Sequence, residues 1–468
     1  MLLMKSFKMI NQAFLKDILF KRKNYILSFV FTWIVYTIFL LNSGYNIFYN
    51  DAWAYWDYGT KMFIGNHFSL LNYGDASRGV LFPFLNSILV LVSRYLNIDG
   101  LLFFKIFSAF ITSFIFCFLF PETIYRLTEK AASIGNIMLF NAITLFFWGD
   151  YFNYPLSDFF TLFLIVFCFY LSLRPNILNS ILFGICIALI INTRPIYIIS
   201  ALPLLGFYFI HLQKTSISYF KNFIFIFISF FITSLPQLII NVKIWNNYTL
   251  LQPTDSYYKG ESLYLKQLRW GIEFEKYETS VGKCYPIPEV KYKSNIGSEI
   301  IRSFKNDSIK NYIEYTKTVS QNPGVFAIIY FKHIFNALDL PNRTPYLKSM
   351  KYNWGFHAVN YAVLFILMIF LFINIRKINR SYFLLFATLL LPVILVIPTA
   401  IEVRFFLPVF IIAYTVISYF GAEMIAHFKS IKRKQKLSLL IISFLIFITF
   451  CFYLSLETAS NIEFQILC

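Results

Sequence analysis

The chain has 468 residues, of which 58% are hydrophobic and 14% are charged, and its mean hydropathy is +0.63. Soluble domains carry about a quarter charged residues, so this composition excludes an ordinary water-soluble protein. The net charge of +18 does not indicate nucleic-acid binding, because the Lys and Arg residues lie in short loops between apolar runs. Such loops are typical of the cytoplasmic side of a membrane; they include 21–23, 376–380 and 429–436.

Residues 1–24 are basic and precede an apolar run without a small-residue cleavage site, so we expect an uncleaved first helix. Eleven apolar runs are candidates for helices that cross a hydrocarbon core of about 30 Å. They are 25–42, 101–120, 133–148, 157–173, 178–193, 196–212, 221–240, 359–375, 382–400, 405–424 and 437–456.

A further apolar run, 80–96, is ambiguous, and topology decides its assignment. If it spanned the membrane, the large loop 241–358 would be cytoplasmic, in conflict with the three basic loops that follow. Its Pro83, Asn86 and Arg94 fit a helix that lies on the outer surface. The sequence therefore predicts eleven spans, with the N-terminus inside and the C-terminus outside.

These features predict an all-α integral membrane protein with about eleven transmembrane helices. A cytoplasmic segment, 1–24, precedes a membrane module, 25–240, whose first outer loop, 43–100, carries surface helices. Loop 241–358 is expected to form a small α-rich layer outside the membrane, followed by C-terminal transmembrane helices, 359–456, and an outer tail, 457–468. The chain has six cysteines without metal-ligand spacing; Cys284 and Cys468 are expected outside, and nothing supports a disulfide between them.

Two groups of acids face the outer side in this topology. Asp51 follows the first span and lies beside aromatic residues, including Tyr55 and Trp56, which also fit an ordinary interfacial aromatic belt. Asp150 and Asp158 flank a short turn between two spans. Ionisable groups next to apolar helices are costly unless they are paired or hydrated, although helix capping would also explain one of the two.

Three arginines are expected at the outer face, namely Arg78, Arg194 and Arg404. Outer arginines are unusual under the positive-inside rule, and the guanidinium fork suits a phosphate group. Pairing with Glu402 or reaching towards lipid headgroups would also account for Arg404. The Lys332-His333 pair is a further cationic point, where a structural histidine is the simpler interpretation.

In order and side of the membrane, these segments resemble the GT-C membrane glycosyltransferases, with the closest likeness to bacterial aminoarabinose transferases and protein O-mannosyltransferases. The family's first-loop Asp-Glu motif and following Tyr resemble Asp51-Ala52 and Tyr55, with Ala52 in place of the second acid. The remaining family motifs resemble Arg78–Pro83, the outer acid Asp158, the helix from Gly184 to Thr193-Arg194-Pro195, and Arg404–Pro408.

The resemblance implies sugar transfer from a polyprenyl-phosphate donor to an extracytoplasmic glycan, lipid or protein, in a bacterial inner membrane. Asp51 is then the expected general base or acceptor-orienting group, and the three arginines bind the donor phosphate. Asp158, with Asp150, would orient these groups or bind a divalent metal ion, which is allowed rather than required; Tyr55 and Trp56 would contact the acceptor.

Two other classes remain open at this stage. A transporter or flippase of lipid-linked saccharides predicts ionisable residues near the middle of the bilayer, where Lys105 is the main candidate. An O-antigen-type polymerase predicts functional arginines in the outer loops without an acid after the first helix.

Overall fold

The computed structural model describes residues 23–64, 67–213, 218–254, 261–281, 289–302, 309–343, 345–349, 351–429 and 434–462. This part of the chain is mostly helical. In chain order its elements are α1 Lys23–Leu41, α2 Asn50–Lys61, β1 Phe63–Ile64, β2 His67–Phe68, α3 Leu81–Tyr95, α4 Gly100–Thr128, α5 Ile134–Trp148, α6 Ser157–Ser172, α7 Ile177–Thr193, α8 Pro195–Leu212, α9 Tyr219–Trp245, α10 Leu263–Glu273, β3 Phe274–Ser280, β4 Glu289–Lys293, α11 Asn295–Arg302, α12 Tyr312–Gln321, α13 Pro323–Leu338, β5 Tyr346–Leu347, α14 Trp354–Asn374, α15 Arg380–Val396, α16 Leu407–Lys429 and α17 Lys434–Ser460.

Seven of these helices, α1, α4, α8, α9, α14, α16 and α17, are long and apolar enough to cross a membrane. The prediction of an α-helical, multi-pass membrane protein is therefore confirmed. The other four predicted spans are helices of 15, 16, 17 and 17 residues, α5, α6, α7 and α15. They are shorter than the roughly 20 residues that a span usually needs, because turns and caps interrupt the apolar runs.

The segment 43–100, predicted as the first outer loop, contains two helices, α2 and α3, that pack against each other. The buried face of α3 carries polar side chains such as Asn86 and Ser93, whereas Ile88 and Leu91 are about half exposed, at 46% and 50%. The buried face also holds Leu81, Phe82 and Val90, so α3 exposes apolar side chains that a surface helix in water would replace with polar ones. This exposure fits a helix whose outer face contacts lipid.

The segment predicted as an α-rich outer layer also contains a three-stranded sheet, which the sequence analysis did not predict. The strand order is β4-β3-β5, with β3 antiparallel to β4 and parallel to β5. The backbone N–H of Tyr277 in β3 donates to Ile401 O at 2.8 Å. This bond ties the sheet to the segment that leads into α16.

Three helix ends meet at one end of the bundle, which we call the cluster end. There α6 begins at Ser157, α7 ends at Thr193 and α16 begins at Leu407. The helix α7 packs closely against α9, since a Cβ at Gly184 of α7 would lie only 2.3 Å from Ile226 O of α9. Cys284 and Cys468 lie outside the described residues, and the cysteines that are described are free and buried, namely Cys117, Cys168, Cys186 and Cys451.

Candidate functional site

Five charged residues predicted from the sequence meet at the cluster end, each carried by a different segment. Asp51 is in the first turn of α2, Arg78 precedes α3 and Asp158 is in the first turn of α6. Arg194 directly follows α7, and Arg404 lies in a 3-10 turn, Val403–Phe406, that leads into α16. The fold thus joins positions that are up to 353 residues apart in the chain.

Asp51 bridges two of the arginines. Its Oδ1 accepts from Arg78 Nη2 at 2.7 Å, and its Oδ2 accepts from Arg404 Nη2 at 3.0 Å. The side chain of Asp51 remains 33% exposed, compared with 26% for Arg78 and 16% for Arg404. The carboxylate is therefore half enclosed by cations and still open to solvent.

Asp158 forms a second, more deeply buried pair. It contacts Arg194 and accepts from the Tyr151 hydroxyl, which in turn accepts from the Asp158 backbone N–H at 3.0 Å. Arg404 Nη1 lies 4.0 Å from Asp158 Oδ2. Arg404 therefore connects the Asp51 pair to the Asp158 pair and makes one continuous ion-pair cluster.

Two further acids complete this cluster. Asp75 is 4% exposed and accepts from Arg78 Nη1 at 3.0 Å, and also from the backbone N–H and hydroxyl of Ser77. Glu402 pairs with Arg404 Nε at 2.6 Å. Glu402 was expected from the sequence only as a pairing partner of Arg404, and Asp75 was not predicted. The signal for Asp75 was the Asp-Ala-Ser-Arg order, typical of a turn that the Asp side chain closes.

The neighbouring charges set the protonation state of Asp51. Burial raises the pKa of its carboxyl group, but the positive charges of Arg404 and Arg78 outweigh burial and lower the pKa to about 2. The pKa of Arg78 is correspondingly raised, because Asp51 and its other anionic neighbours outweigh burial. Asp51 is thus firmly ionised at neutral pH, and it is a weak base while it holds both arginines.

Aromatic side chains form the wall of the cluster. The guanidinium carbon of Arg78 lies 5.6 Å from the ring centroid of Tyr55, and that of Arg194 lies 5.4 Å from Phe405. Both distances fit cation–π contacts. The buried Tyr346 hydroxyl donates to Tyr49 O at 3.0 Å and accepts from Ala52 N–H at 3.3 Å. Tyr346, which sequence reasoning missed, thereby holds the start of α2 and with it Asp51.

Two other predicted site residues lie away from the cluster. Asp150 faces Tyr45, whose hydroxyl is 3.4 Å from the Asp150 carboxylate. Burial raises the pKa of Asp150, opposed by the charges of Arg343 and Lys348. Trp56 packs on the ring of Phe48, with centroids 4.9 Å apart. Neither side chain has a contact with Asp51 among those found in the described part of the chain.

The Lys332-His333 pair has a structural environment. Lys332 Nζ bridges Glu275 and Glu457 at 2.9 and 2.7 Å. His333 is fully buried, and its ring nitrogens face Ile397 O at 2.6 Å and Phe274 O at 3.2 Å. These contacts tie α13 to β3, α15 and α17, away from the cluster.

An apolar groove leads away from the cluster along α4 and α6. It has a volume of about 340 Å³ and is lined by residues such as Ile111, Phe118, Phe160 and Phe167. Phe160 lies two positions after Asp158, and its ring centroid is 5.1 Å from that of Phe82 beside Tyr55. The groove therefore begins next to the ion pairs and continues between the two helices.

The carboxylates of the cluster do not offer a ready metal site. Both oxygens of Asp51 are bonded to guanidinium groups, and Asp158 is taken by Arg194 and Tyr151. Within the described ranges, no group of three or more His, Cys, Asp or Glu residues has the arrangement of a metal site. The cluster instead places the guanidinium groups of Arg78 and Arg404 on either side of the ionised carboxylate of Asp51.

Comparisons with known proteins add no family assignment, since neither a protein-family model nor a curated protein matches this chain.

Proposed function

We propose that the protein is a membrane glycosyltransferase that moves a sugar from a polyprenyl-phosphate donor to an extracytoplasmic acceptor in the cell envelope. The observation that carries this proposal is the meeting of Asp51, Arg78, Arg194 and Arg404 at one end of the bundle. A reaction that releases a phosphate needs cations for the leaving group and an acid–base group for the acceptor. Both kinds of group lie in this cluster.

The proposed setting is a bacterial cytoplasmic membrane crossed eleven times, with the cluster on the outer side. The four shorter helices α5, α6, α7 and α15 would then cross the bilayer within the protein bundle. There α6 is largely buried by its neighbours, whereas α15 keeps apolar side chains such as Phe383 and Ile394 on the outside of the bundle. The basic loop 376–380, which lies at the opposite end, agrees with a cytoplasmic location for that end.

The groove between α4 and α6 is the proposed place for the prenyl chain of the donor. Its side chains are almost all apolar, as a chain of isoprene units requires, and it begins near Asp158. Along α6, the distance from Phe160 to Tyr170 is about 15 Å at 1.5 Å per residue. The proposed donor thus has its phosphate at the arginines and its chain along the groove.

The chemistry is a substitution at the anomeric carbon of the sugar. The acceptor oxygen forms a bond to this carbon while the bond from the carbon to the phosphate oxygen breaks. The bonding electrons leave with the polyprenyl phosphate, and the acceptor proton passes to the base. Arg78, Arg194 and Arg404 stabilise the negative charge that develops on the phosphate.

The low pKa of Asp51 constrains its proposed role. A carboxylate with a pKa of about 2 is a poor proton acceptor for a hydroxyl group. When a donor phosphate competes for Arg78 and Arg404, Asp51 loses two favourable charges and its pKa rises. The proposed base is thus activated by donor binding, while Tyr346 holds it in place. No divalent ion is included in the proposal, because the cluster's carboxylates are already paired with cations.

The test is a transfer assay with purified protein and radiolabelled polyprenyl-phosphate sugars, using membrane extract from the native cells as acceptor. We expect Asp51→Asn to lower kcat by about 100-fold or more, the usual range for losing a general base. Asp57→Asn is the matched control, because Asp57 lies on the same helix and pairs only with Lys61 at 2.7 Å among the contacts described. Equal activity of Asp51→Asn and wild type would overturn the role of Asp51.

The transporter alternative has less support. Lys105, the candidate for a charge near the middle of the bilayer, lies close to the outer start of α4 and donates to Tyr45 O at 2.7 Å. This bond gives Lys105 a structural role at the base of the first outer loop. A transporter would move the labelled donor intact, and the same assay separates the two outcomes.

A further inference from the structure

A large apolar cavity lies at the end of the bundle opposite the cluster, which we call the basic end. It has a volume of about 570 Å³, within the roughly 300–1,000 Å³ of typical ligand pockets. Helices α4, α6, α14, α15 and α16 line it, with side chains that include Phe120, Leu162, Leu389 and Val416. The cavity and the proposed donor groove both contact α4 and α6, but their walls share no residue, so they are separate spaces.

The cavity extends to the depth of one membrane leaflet. Its wall on α16 runs from Ile411 to Met424, which is about 20 Å at 1.5 Å per residue. Half of a hydrocarbon core is about 15 Å. A cavity of this length and composition suits one hydrocarbon chain of a lipid.

A polar cleft of about 620 Å³ adjoins the apolar cavity. The two share Leu127 and Tyr382 in their walls, so they are neighbours at the basic end. The polar cleft is lined by Arg126, Arg174 and Asn379, among others. An amphiphile can therefore place its chain in the cavity and its headgroup in the cleft.

The walls of these two spaces carry four cations and two acids, namely Arg126, Lys130, Arg174, Lys377, Glu129 and Glu423. Their net charge therefore favours an anion. Lys130 pairs with Glu423 at the cavity, and Arg126 Nε donates to Glu122 at 3.1 Å. Arg174 and Lys377 are exposed and have no ion-pair partner among the described residues. Their positive charges are therefore available to bind a negatively charged headgroup.

We propose that the basic end binds an anionic phospholipid, with one acyl chain in the apolar cavity and the phosphate at Arg174 and Lys377. Anionic lipids are attracted to cationic segments at the membrane surface by about 1 kcal/mol per Lys or Arg. The bilayer itself supplies this ligand beside the cavity. Such a lipid would fill the space between α14, α15 and α16 and stabilise the bundle at this end.

The test uses purified full-length protein in nanodiscs with phosphatidylglycerol that carries a photoreactive group in its acyl chain. We expect cross-links on α4, α15 and α16, and about 30-fold weaker labelling by the same probe with a phosphatidylcholine headgroup. Leu389→Trp should abolish the labelling by filling the cavity, whereas Ile394→Trp, on the same helix and 55% exposed, should not. Arg174→Gln combined with Lys377→Gln should weaken the labelling about 30-fold, and Lys221→Gln should leave it unchanged.

Equal labelling by the two headgroups would overturn the proposal, since the cavity would then bind acyl chains without recognising an anion. Labelling that Leu389→Trp leaves intact would also overturn it. Displacement of the probe by unlabelled polyprenyl phosphate at lower concentration than by phosphatidylglycerol would identify an isoprenoid as the occupant, against the proposal. Melting temperatures of all variants show whether each protein is folded, and Ile394→Trp controls for the added bulk.

Discussion

Asp51 lies between Arg78 and Arg404, and all three residues were predicted from the sequence as members of one site. The short motifs around Asp51, Arg78, Asp158, Arg194 and Arg404 indicated outer-face groups, and the structure brings all five together. Of their partners, the pairing of Arg404 with Glu402 was considered from the sequence, whereas the bonds of Asp75 and Tyr346 depend on backbone geometry and were not predicted. Asp150 was expected in the same site because it is close to Asp158 in sequence, but its carboxylate faces Tyr45 instead.

The electrostatics of Asp51 predict a pH-dependent contribution to stability. The folded-state pKa of about 2 lies below the ordinary value of about 3.9. The ionised form therefore stabilises the folded state above pH 4, and this contribution is lost as the pH falls from about 4 to about 2. We expect Asp51→Asn to melt at a lower temperature than wild type at pH 6, with roughly half of the free-energy difference gone at pH 3.

Thermal unfolding in one detergent at several pH values measures this effect. Asp57→Asn is the control for loss of a charge on α2. A difference between wild type and Asp51→Asn that stays constant from pH 6 to pH 3 would contradict the ion-pair account.

At the scale of elements, the helix within 80–96 was predictable and the sheet was not, while the assignment of that helix to the membrane surface stays a prediction. The run 80–96 was assigned to a surface helix by charge and topology, and α3 occupies Leu81–Tyr95. The strand β5 has only two residues and pairs with β3 across 67 positions of sequence, as the pairing of Ser280 with Leu347 shows. A strand of this length has no detectable alternation of its own.

Close backbone contact positions Arg78 relative to α7. A Cβ at Gly79 would lie 1.7 Å from Asn192 O, so the backbone must move to accept any larger residue. We expect Gly79→Ala to reduce sugar transfer by at least tenfold, because it separates Arg78 from Arg194, and a misplacement of about 1 Å can cost 100-fold. Gly74→Ala is the matched control, since a Cβ there meets nothing within 4 Å.

Comparing kcat/KM and melting temperature for both glycine variants separates a local shift from unfolding. Equal activity of Gly79→Ala and Gly74→Ala would show that the contact with α7 does not position the arginine.

At the scale of the whole molecule, composition predicted the fold class, whereas the number of spans depends on an argument about charge. Seven helices are long enough to cross a membrane, and α5, α6, α7 and α15 are not, taken alone. The breaks between these apolar runs at the turn Gly149–Asn153 and at Pro195 were predicted to within about two residues. Hydropathy alone could not show whether helices this short cross the membrane. The resulting topology is directly testable.

Cysteine labelling from each side of the membrane tests the eleven-span topology. In a variant with Cys284 and Cys468 replaced by Ser, Tyr248→Cys, where Tyr248 is 81% exposed, should react with an impermeant thiol reagent in intact cells. Arg376→Cys, at the opposite end, should react only after the membrane is opened. Reaction of both in intact cells, or of Arg376→Cys alone, would contradict the proposed topology.

The most direct test of the central claim follows the labelled sugar in proteoliposomes that contain only this protein, polyprenyl-phosphate donors and extracted acceptors. We predict that the label leaves the polyprenyl phosphate and becomes covalently attached to an acceptor, at a rate that Asp51→Asn lowers and Asp57→Asn does not. Recovery of the label only on intact donor, with every donor sugar tried, would contradict the proposed transferase.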